Sequence, residues 1–380
     1  MLKLSALSLY IHFPWCVRKC PYCDFNSHQL KGEIPAKTYL EKLLLDLQSH
    51  SSDLQNRQFE SIFLGGGTPS LFPSTELFQM FEYLFKHNLI AKQAEITIEV
   101  NPGKIEYGKF SDYKAMGINR ISLGVQSLQN DKLKALGRIH NAQNVYHAVN
   151  ELVKAGFNNF NIDLMHGLPT QSLDDALFDL REALSLKPTH LSWYQLTLEP
   201  NTAFAIKPPQ LPCEDLLFDI EQQGKGLIKA SGFEQYETSA YSQGVAYQAK
   251  HNLNYWQFGD YIGIGAGAHG KITFPESKII KRHWKRKRPK DYMLEKTFHY
   301  GARDITLNER PYEFMLNALR LNHGFSITQF EQTTGVSIID IKTKLDNAIT
   351  RGLLMEKLEY FIPTEVGQRF LNNLLYIFLP

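Results

Sequence analysis

Short apolar runs alternate with longer amphipathic segments over the first half of the chain. Six runs rich in Val, Ile, Leu, Phe and Tyr are predicted to be strands; they span residues 7–13, 61–64, 95–100, 120–124, 159–164 and 190–197. Between them, segments such as YLEKLLLDLQSH (39–50) place apolar side chains three and four positions apart, as one face of a helix requires. This alternation predicts a parallel sheet with right-handed crossovers, in an α/β fold. Six such units suit a partial or full (β/α) barrel, and an open doubly wound sheet is the alternative.

Polar residues or glycine turns follow every predicted strand on the same side. The first strand runs into a cysteine-rich loop, and the second ends in GGGTP (65–69). The other strands end in polar residues, which are Glu99, Asn101, Gln126, Asp163, His166, Gln195, Thr197 and Glu199. The working site of a (β/α) barrel lies at the C-terminal ends of its strands, so this repetition predicts a functional site there.

The pattern is less regular after about residue 201. GFEQYETSAYS (232–242) is interpreted as a further strand, and the glycine-rich YIGIGAGAHGK (261–271) as a loop on the working side of the sheet. KRHWKRKRPK (281–290) carries seven Lys or Arg and is interpreted as a solvated loop near a domain boundary. Attraction to propionates or to anionic lipid headgroups, and hence peripheral membrane contact, is the alternative for this run.

The last 80 residues resemble a winged helix-turn-helix. Three helices are predicted within 311–321, 326–335 and 338–352, a two-stranded wing over 353–363 and a final helix over 364–379. The charges of this module are nearly balanced, which favours a protein contact or a lid over DNA binding. The predicted domains are a barrel at 1–235, a connecting region at 236–300 and the C-terminal winged-helix-like α+β module at 301–380.

The bulk composition bounds the function class. The chain has 380 residues, a net charge of +2 and four cysteines. Nearly neutral charge argues against electrostatic binding to nucleic acid. Four cysteines are too few for a disulfide framework, which favours a reducing compartment. Because the sequence shows no signal peptide and no apolar run of roughly 18 residues, we expect a cytoplasmic protein.

Three of the four cysteines lie within eight positions. Cys16, Cys20 and Cys23 are spaced C-x3-C-x2-C, and the fourth, Cys213, is remote. Three thiolates can hold a [4Fe–4S] cluster and leave one iron open for a ligand that is not protein. A zinc site completed by His12 or His28, and a redox or structural role, are the alternatives.

This cysteine spacing, with an aromatic residue before the last cysteine, resembles the signature of the radical S-adenosylmethionine (SAM) superfamily. The resemblance implies a [4Fe–4S] cluster on Cys16, Cys20 and Cys23, with SAM on the open iron, in a partial (β/α)6 barrel. The motifs YIHFPWC, LGGGTPS, ITIEVNP, RISLGVQS, LGRIH and NIDLMHGLP resemble, in this order, the branch that contains the oxygen-independent coproporphyrinogen III oxidases and the related haem chaperones. The similarity covers essentially the whole chain.

The resemblance assigns the residues that would contact SAM. Gly66, Gly67 and Thr68 match the loop at the methionyl amino end, and Glu99 matches the carboxylate that binds the ribose. The remaining matches are Gln126, Arg138, Asp163 and Tyr10. A plain tight turn for the glycines, a surface carboxylate for Glu99 and a core aromatic for Tyr10 are the alternatives. Positions that match Thr197 and His269 lie near a second SAM in the oxidase.

Three departures favour the haem chaperones over the oxidases. Phe25 stands where the oxidases usually have a further cysteine, and only 15 residues precede Cys16. Conversely, HNLNYW (251–256) resembles the HNxxYW haem motif of the chaperones. That match implies that His251 ligates the haem iron and that Tyr255 and Trp256 pack on the macrocycle. An aromatic cluster around a hydrogen-bonded histidine is the alternative.

We therefore predict a protein that binds a [4Fe–4S] cluster, SAM and haem, and that delivers haem to acceptor proteins. Whether it is also an enzyme is left open, and no residue is assigned a catalytic role. The rival functions are the radical decarboxylation of coproporphyrinogen III and a zinc-stabilised nucleic-acid binder. The sequence leaves the oligomeric state open.

Overall fold

The computed structural model describes residues 2–103, 109–298 and 300–380. Its main element is one twelve-stranded sheet, in the order β14-β13-β12-β11-β1-β4-β5-β6-β7-β8-β10-β9. The strands among the described residues are β1 (Leu7–Phe13), β2 (Trp15–Cys16), β3 (His28–Gln29), β4 (Phe59–Gly66), β5 (Ile90–Val100), β6 (Arg120–Gln126), β7 (Phe160–His166), β8 (His190–Gln195), β9 (Glu234–Gln235), β10 (Ala240–Ser242), β11 (Asp260–Ile264), β12 (His269–Phe274), β13 (Ile279–Trp284), β14 (Gly301–Asp304), β15 (Phe325–Ser326), β16 (Leu354–Lys357) and β17 (Tyr360–Pro363).

Helices between successive parallel strands cover the outer face of the sheet, and further helices lie in the second half of the chain. They are α1 (Ala36–Ser49), α2 (Ser74–Lys86), α3 (Phe110–Ala115), α4 (Asn130–Ala135), α5 (Ala142–Lys154), α6 (Leu173–Ser185), α7 (Ala203–Ile206), α8 (Glu214–Ala230), α9 (Lys250–Trp256), α10 (Pro289–Leu294), α11 (Arg310–Ala318), α12 (Ile327–Thr334), α13 (Lys342–Thr350), α14 (Glu365–Arg369) and α15 (Leu371–Tyr376). Capping boxes begin α5, at Asn141 and Asn144, and α6, at Ser172 and Asp175. These caps satisfy backbone N–H groups that the first helical turn leaves without partners.

All six predicted parallel strands are present, and the prediction of a partial barrel is confirmed. They are β1, β4, β5, β6, β7 and β8, and they lie side by side in chain order. A doubly wound sheet would reverse its strand order at a switch point, so the chain order favours the barrel. The sheet does not close on itself, because β14 and β9 form its two edges.

The two faces of the parallel strands differ in polarity. Alternate residues such as Leu9 and Ile11 of β1, or Ile62 and Leu64 of β4, are buried in the main hydrophobic core with the helices. The intervening positions face the barrel interior, where many side chains are polar; examples on other strands are Glu99 and Asp163. The period of two along each strand therefore separates a packing face from a polar interior.

Two interpretations of the second half were wrong. Residues 261–271 are not one loop: β11 pairs in parallel with β1, β12 returns antiparallel to β11, and only residues 265–268 form a turn between them. The glycines suggested a loop, yet Gly263 lies within β11. Glycine is needed at this position because a Cβ would come 1.9 Å from the carbonyl oxygen of His269. Residues 232–242, interpreted as one strand, form the two short strands β9 and β10.

The basic run 281–290 is only in part a solvated loop. Residues 281–284 belong to β13, which pairs with β12, residues 285–288 lie in no helix or strand, and residues 289–290 begin α10. Lys285 is buried, with its Nζ 2.5 Å from Asp46 Oδ1 and 2.8 Å from His50 Nε2. A sequence pattern of charges cannot reveal this, because the partners lie more than 230 positions away.

The C-terminal module has its own apolar core, in which Phe314, Phe325, Phe330 and Phe361 pack together. The three predicted helices correspond to α11, α12 and α13, and the predicted wing to β16 and β17, with β15 as a third strand. The predicted last helix is divided at Phe370 into α14 and α15. The main sheet continues to β14, and the division at residues 235 and 300 stays a prediction. In the described part of the chain, no helix is both long and apolar enough to cross a membrane.

Lys285→Met should destabilise the protein by about 3–5 kcal/mol, because it leaves the Asp46 carboxylate buried without its cation. Lys287→Met, at an exposed position of the same basic run, should change stability by no more than about 0.5 kcal/mol. Chemical unfolding of the two variants measures this difference. Equal stabilities would contradict a structural role for Lys285.

Candidate functional site

The C-terminal ends of the parallel strands surround a cavity of about 400 Å³, here called the cysteine cavity. The three clustered cysteines line it together with seven of the eight residues predicted to contact SAM, which are Gly66, Gly67, Thr68, Glu99, Gln126, Arg138 and Asp163. The eighth, Tyr10, does not line this cavity. Thr197 and Glu199 also lie at its wall. The structure thus brings together residues that are up to 183 positions apart in sequence.

The cysteine loop is held by backbone pairing, and each sulfur approaches a polar side chain. Strands β2 and β3 close the loop around the three half-buried thiols. Thr68 Oγ1 donates to Cys16 Sγ at 3.5 Å. Ser27 Oγ lies 3.7 Å from Cys23 Sγ, and Arg138 Nη1 lies 3.8 Å from Cys20 Sγ. Hydrogen bonds to thiolate sulfurs are characteristic of iron–sulfur sites, so this donor set fits a cluster.

Of the two histidines proposed to complete a zinc site, only His12 is bonded through both ring nitrogens, whereas His28 Nε2 is buried without a hydrogen-bond partner among the described residues. Within residues 2–103, 109–298 and 300–380, no group of three or more His, Cys, Asp or Glu is arranged to hold a single metal ion. His12, one proposed fourth ligand, uses both ring nitrogens, Nδ1 with Tyr10 Oη at 3.0 Å and Nε2 with the carbonyl oxygen of Asn26 at 2.9 Å. Burial lowers the pKa of His12 to about 4.

The loop at residues 65–67, here called the glycine loop, requires glycine because atoms of the neighbouring strand lie too close to it for a Cβ. Gly66 has a φ of 113°, and a Cβ on it would come 2.5 Å from the His12 ring. A Cβ on Gly67 would come 2.6 Å from the carbonyl oxygen of Trp15. This loop therefore packs directly on the strand that leads into the cysteines, with both glycines at the cavity wall. Their contact with SAM stays a prediction.

Two buried carboxyl groups, of Glu99 and Asp163, line the cysteine cavity. Glu99 Oε2 accepts a hydrogen bond from Gly66 N at 3.1 Å. Asp163 accepts from Ser122 Oγ at 3.2 Å and from Asn161 Nδ2 at 2.8 Å. Burial, and then repulsion from Asp163, raise the pKa of Glu99 to about 8, and burial also raises the pKa of Asp163. Such oxygens can accept hydrogen bonds from ligand hydroxyls.

Gln126 and Arg138 are held in place by residues that the sequence reasoning did not assign. Gln126 has a φ of 71° at a bulge between β6 and β7, and Tyr194 Oη donates to its Oε1 at 2.8 Å. Arg138 Nη2 donates to the carbonyl oxygen of Gly124 at 2.6 Å and to Asn101 Oδ1 at 2.7 Å. The alternation of Ser192 and Tyr194 along the sixth strand was the signal that could have revealed Tyr194.

A second cavity of about 430 Å³ lies beside the first and is here called the aromatic cavity. It shares Phe25, Gly66 and Glu99 with the cysteine cavity. The rest of its wall includes Tyr10, His12, Tyr255, Trp256, Tyr261 and His269. The volume lies in the range of small-molecule and cofactor sites, roughly 300–1,000 Å³.

The HNLNYW segment forms α9, and its residues differ in exposure. Glu95 accepts hydrogen bonds from the backbone N–H groups of Lys250 and His251, both at 3.2 Å, at the start of this helix. His251 is only 1% exposed, with Nδ1 3.0 Å from Ser61 Oγ and Nε2 2.9 Å from Tyr255 Oη. Burial lowers the pKa of His251 to about 3, so the ring is neutral.

Tyr255 therefore stands between His251 and the aromatic cavity. Its ring packs edge-on against Tyr261 at a centroid distance of 4.6 Å, and Trp256 packs under the Arg320 guanidinium at 4.5 Å. The structure places Tyr255 and Trp256 at the cavity wall, whereas His251 lies behind them. In this arrangement neither nitrogen of His251 is available to an iron, and its assignment as haem ligand stays a prediction.

Comparisons with known proteins agree with this geometry. The model of the Radical SAM superfamily matches residues 10–183, and that of the HemN C-terminal domain matches residues 305–370. The chain is 50% identical to the heme chaperone HemW of Escherichia coli over 379 residues, which cover 100% of both chains. It is 31% identical to a mitochondrial radical S-adenosyl methionine domain-containing protein 1 of Mus musculus, over 99% of this chain and 88% of the relative.

A solved structure shows the same fold. Coproporphyrinogen III oxidase (HemN) from Escherichia coli, described as a radical SAM enzyme, aligns over 99% of this chain and 90% of its own, with a TM-score of 0.82. The sequence identity in that alignment is 23%, so the match concerns the fold.

Glu99→Gln should stabilise the cluster-free protein at alkaline pH. The pKa of Glu99 rises from 4.5 to about 8 on folding, so the free energy of unfolding falls as the pH rises from 4.5 to 8. The variant should match the unmodified protein at pH 5 and exceed it by about 2–5 kcal/mol at pH 9, since one pKa unit is about 1.4 kcal/mol. Urea unfolding at both pH values tests this.

The matched control is Glu60→Gln, an exposed position on β4, which should show no such pH-dependent gain. A Glu99→Gln variant with the same stability difference at pH 5 and pH 9 would contradict the raised pKa.

Proposed function

The chain belongs to the radical SAM superfamily, in the branch of HemN and the HemW heme chaperones, and on this basis we propose that it is a haem chaperone. It binds a [4Fe–4S] cluster, SAM and haem, and it delivers the haem to acceptor proteins. The observation that carries the proposal is the aromatic cavity: two residues of the HNxxYW motif line it, and it shares a wall with the cysteine cavity.

The cysteine cavity would hold the cluster and SAM. Cys16, Cys20 and Cys23 would ligate three irons, and the polar groups already near each sulfur would hydrogen-bond the thiolates. The glycine loop and Gln126, Arg138, Glu99 and Asp163 would surround SAM. When bound, a cluster of this kind supplies one electron to the sulfonium of SAM. Tyr10 lies in the aromatic cavity, so we assign it to the boundary between the two sites.

The aromatic cavity would hold the haem. Tyr255, Trp256 and Tyr261 present flat apolar surfaces, which suit a flat macrocycle. Trp256 Nε1 is buried and has no hydrogen-bond partner among the described residues. His251 belongs to the same site through its hydrogen bond to Tyr255.

Retention of the cluster should depend on three cysteines and not on the fourth. The unmodified chain should retain about four irons. Each of the substitutions Cys16→Ser, Cys20→Ser and Cys23→Ser should abolish this retention, because two thiolates do not hold such a cluster well. Cys213→Ser, at an exposed position at the start of α8, is the control and should retain it. Iron analysis and absorbance after anaerobic reconstitution measure this. Stoichiometric zinc without iron in the unmodified protein would contradict the proposal.

The unmodified protein should bind haem and should not convert coproporphyrinogen III to protoporphyrinogen IX. Phe25 is 59% exposed at the wall of both cavities, where the resembled oxidases carry a further cysteine. A Soret titration tests binding, and an anoxic assay with SAM and a reductant tests turnover. Trp256→Ala should weaken haem binding through lost aromatic contact without changing the iron ligand. Efficient decarboxylation would instead identify the protein as an oxidase.

A further inference from the structure

We propose that His269 supplies the axial nitrogen to the haem iron in the aromatic cavity and that His251 is a positioning residue that acts through Tyr255. This inference rests on the proposed function and specifies the ligand at that site. His269 begins β12, at the turn that follows β11.

Three histidines lie in or directly behind the aromatic cavity, and their hydrogen bonds distinguish them. His12 is bonded through both ring nitrogens, and so is His251. His269 is exposed, lines the cavity and has no hydrogen bond to its ring from any residue that the structure describes. An axial ligand needs a nitrogen lone pair that faces the iron, and His269 alone among the three offers one without breaking a buried network.

The backbone around His269 is held by hydrogen bonds, although its ring has none from the described residues. The carbonyl oxygen of Ala268 accepts from Lys285 N at 2.9 Å, and Gly267 N donates to the carbonyl oxygen of Arg286 at 2.7 Å. His269 itself pairs with Trp284 in the β12–β13 ladder, and the two rings stack at 6.5 Å. A ligand on a rigid strand end is held at a defined position, which lowers the ordering cost of binding.

The turn between β11 and β12, which precedes His269, is attached to the cysteine loop. Asn26, three residues after Cys23, donates from Nδ2 to the carbonyl oxygens of Ala266 at 2.8 Å and Lys287 at 2.9 Å. A Cβ on Gly267 would come 2.3 Å from this amide, so glycine is needed there. His269 is thus positioned by the cysteine loop, and it lines the same cavity as Tyr255 and Trp256.

The exposure of His269 also suits transfer. A haem ligated by a surface imidazole can meet an incoming ligand of an acceptor protein without unfolding of the barrel. A haem ligated by His251 would require loss of the bonds to Ser61 and Tyr255 and entry behind the Tyr255 ring.

The test compares haem titrations of the full chain and its His269→Gly, His269→Ala, His251→Ala and Tyr255→Phe variants. His87→Ala, at an exposed position after α2, is the matched control. Soret absorbance and electron paramagnetic resonance report the axial ligand, and circular dichroism verifies folding. Imidazole is then added to the His269→Gly protein, where it can occupy the space of the deleted ring.

Both His269 variants should bind haem at least ~10-fold more weakly with a changed spectrum, since even the loss of an outer-shell partner typically costs 10–100-fold in metal affinity. Imidazole should restore the original spectrum in His269→Gly. His251→Ala and Tyr255→Phe should retain a histidine-ligated spectrum, and His87→Ala should match the unmodified chain.

Unchanged haem spectra in folded His269 variants would overturn the inference. Loss of the histidine-ligated spectrum in His251→Ala or in Tyr255→Phe would overturn it as well. These outcomes leave the proposed function intact because the unmodified chain still binds haem. Failure of the unmodified chain to bind haem would instead remove the proposed function.

Discussion

Strand β1 pairs with β4 on one side and β11 on the other, and the position of both cavities depends on this double pairing. The pairing with β4 sets the glycine loop against the entrance to the cysteine loop, where only glycines fit. The pairing with β11 sets the turn before His269 against the same loop. Because parallel strands end at one edge of the sheet, the ends of all three strands converge there.

The polar interior of the barrel is the second constraint. Burial raises the pKa of Glu99 and of Asp163, and repulsion from Asp163 raises the pKa of Glu99 further, to about 8, so Glu99 is uncharged at neutral pH. Three hydrogen bonds attach helix α9 to this interior. Glu95 accepts from the backbone of the helix, Ser61 bonds the His251 side chain, and Ser8 accepts from the Asn254 side chain. Such a fully bonded network is costly to rearrange, which is why a change of partner at His251 is unfavourable.

The two cavities share a wall, so the two proposed ligand sites are neighbours without being one site. Gly66 and Glu99 contribute to both, and Phe25 lies between them at the surface. The similarity to HemN concerns the fold, and one fold can serve different chemistry. Residues that line the two cavities, such as Phe25, are therefore places where a chaperone and an oxidase of this fold can differ.

The sequence alone determined the parallel strands, the cysteine loop and the wing, because periodicity and cysteine spacing are local signals. The seven predicted SAM contacts that line the cysteine cavity came from the resemblance to the radical SAM superfamily. Local signals gave the wrong prediction where pairing between distant parts of the chain determines the structure. Glycines suggested a loop in what is the strand β11, and the charges around Lys285 suggested solvent although Asp46 neutralises that lysine inside the protein. Only the tertiary structure showed that His251 is enclosed and His269 exposed. Hydrogen-bond partners and burial depend on which distant strands meet, and a motif of six adjacent residues contains no information about them.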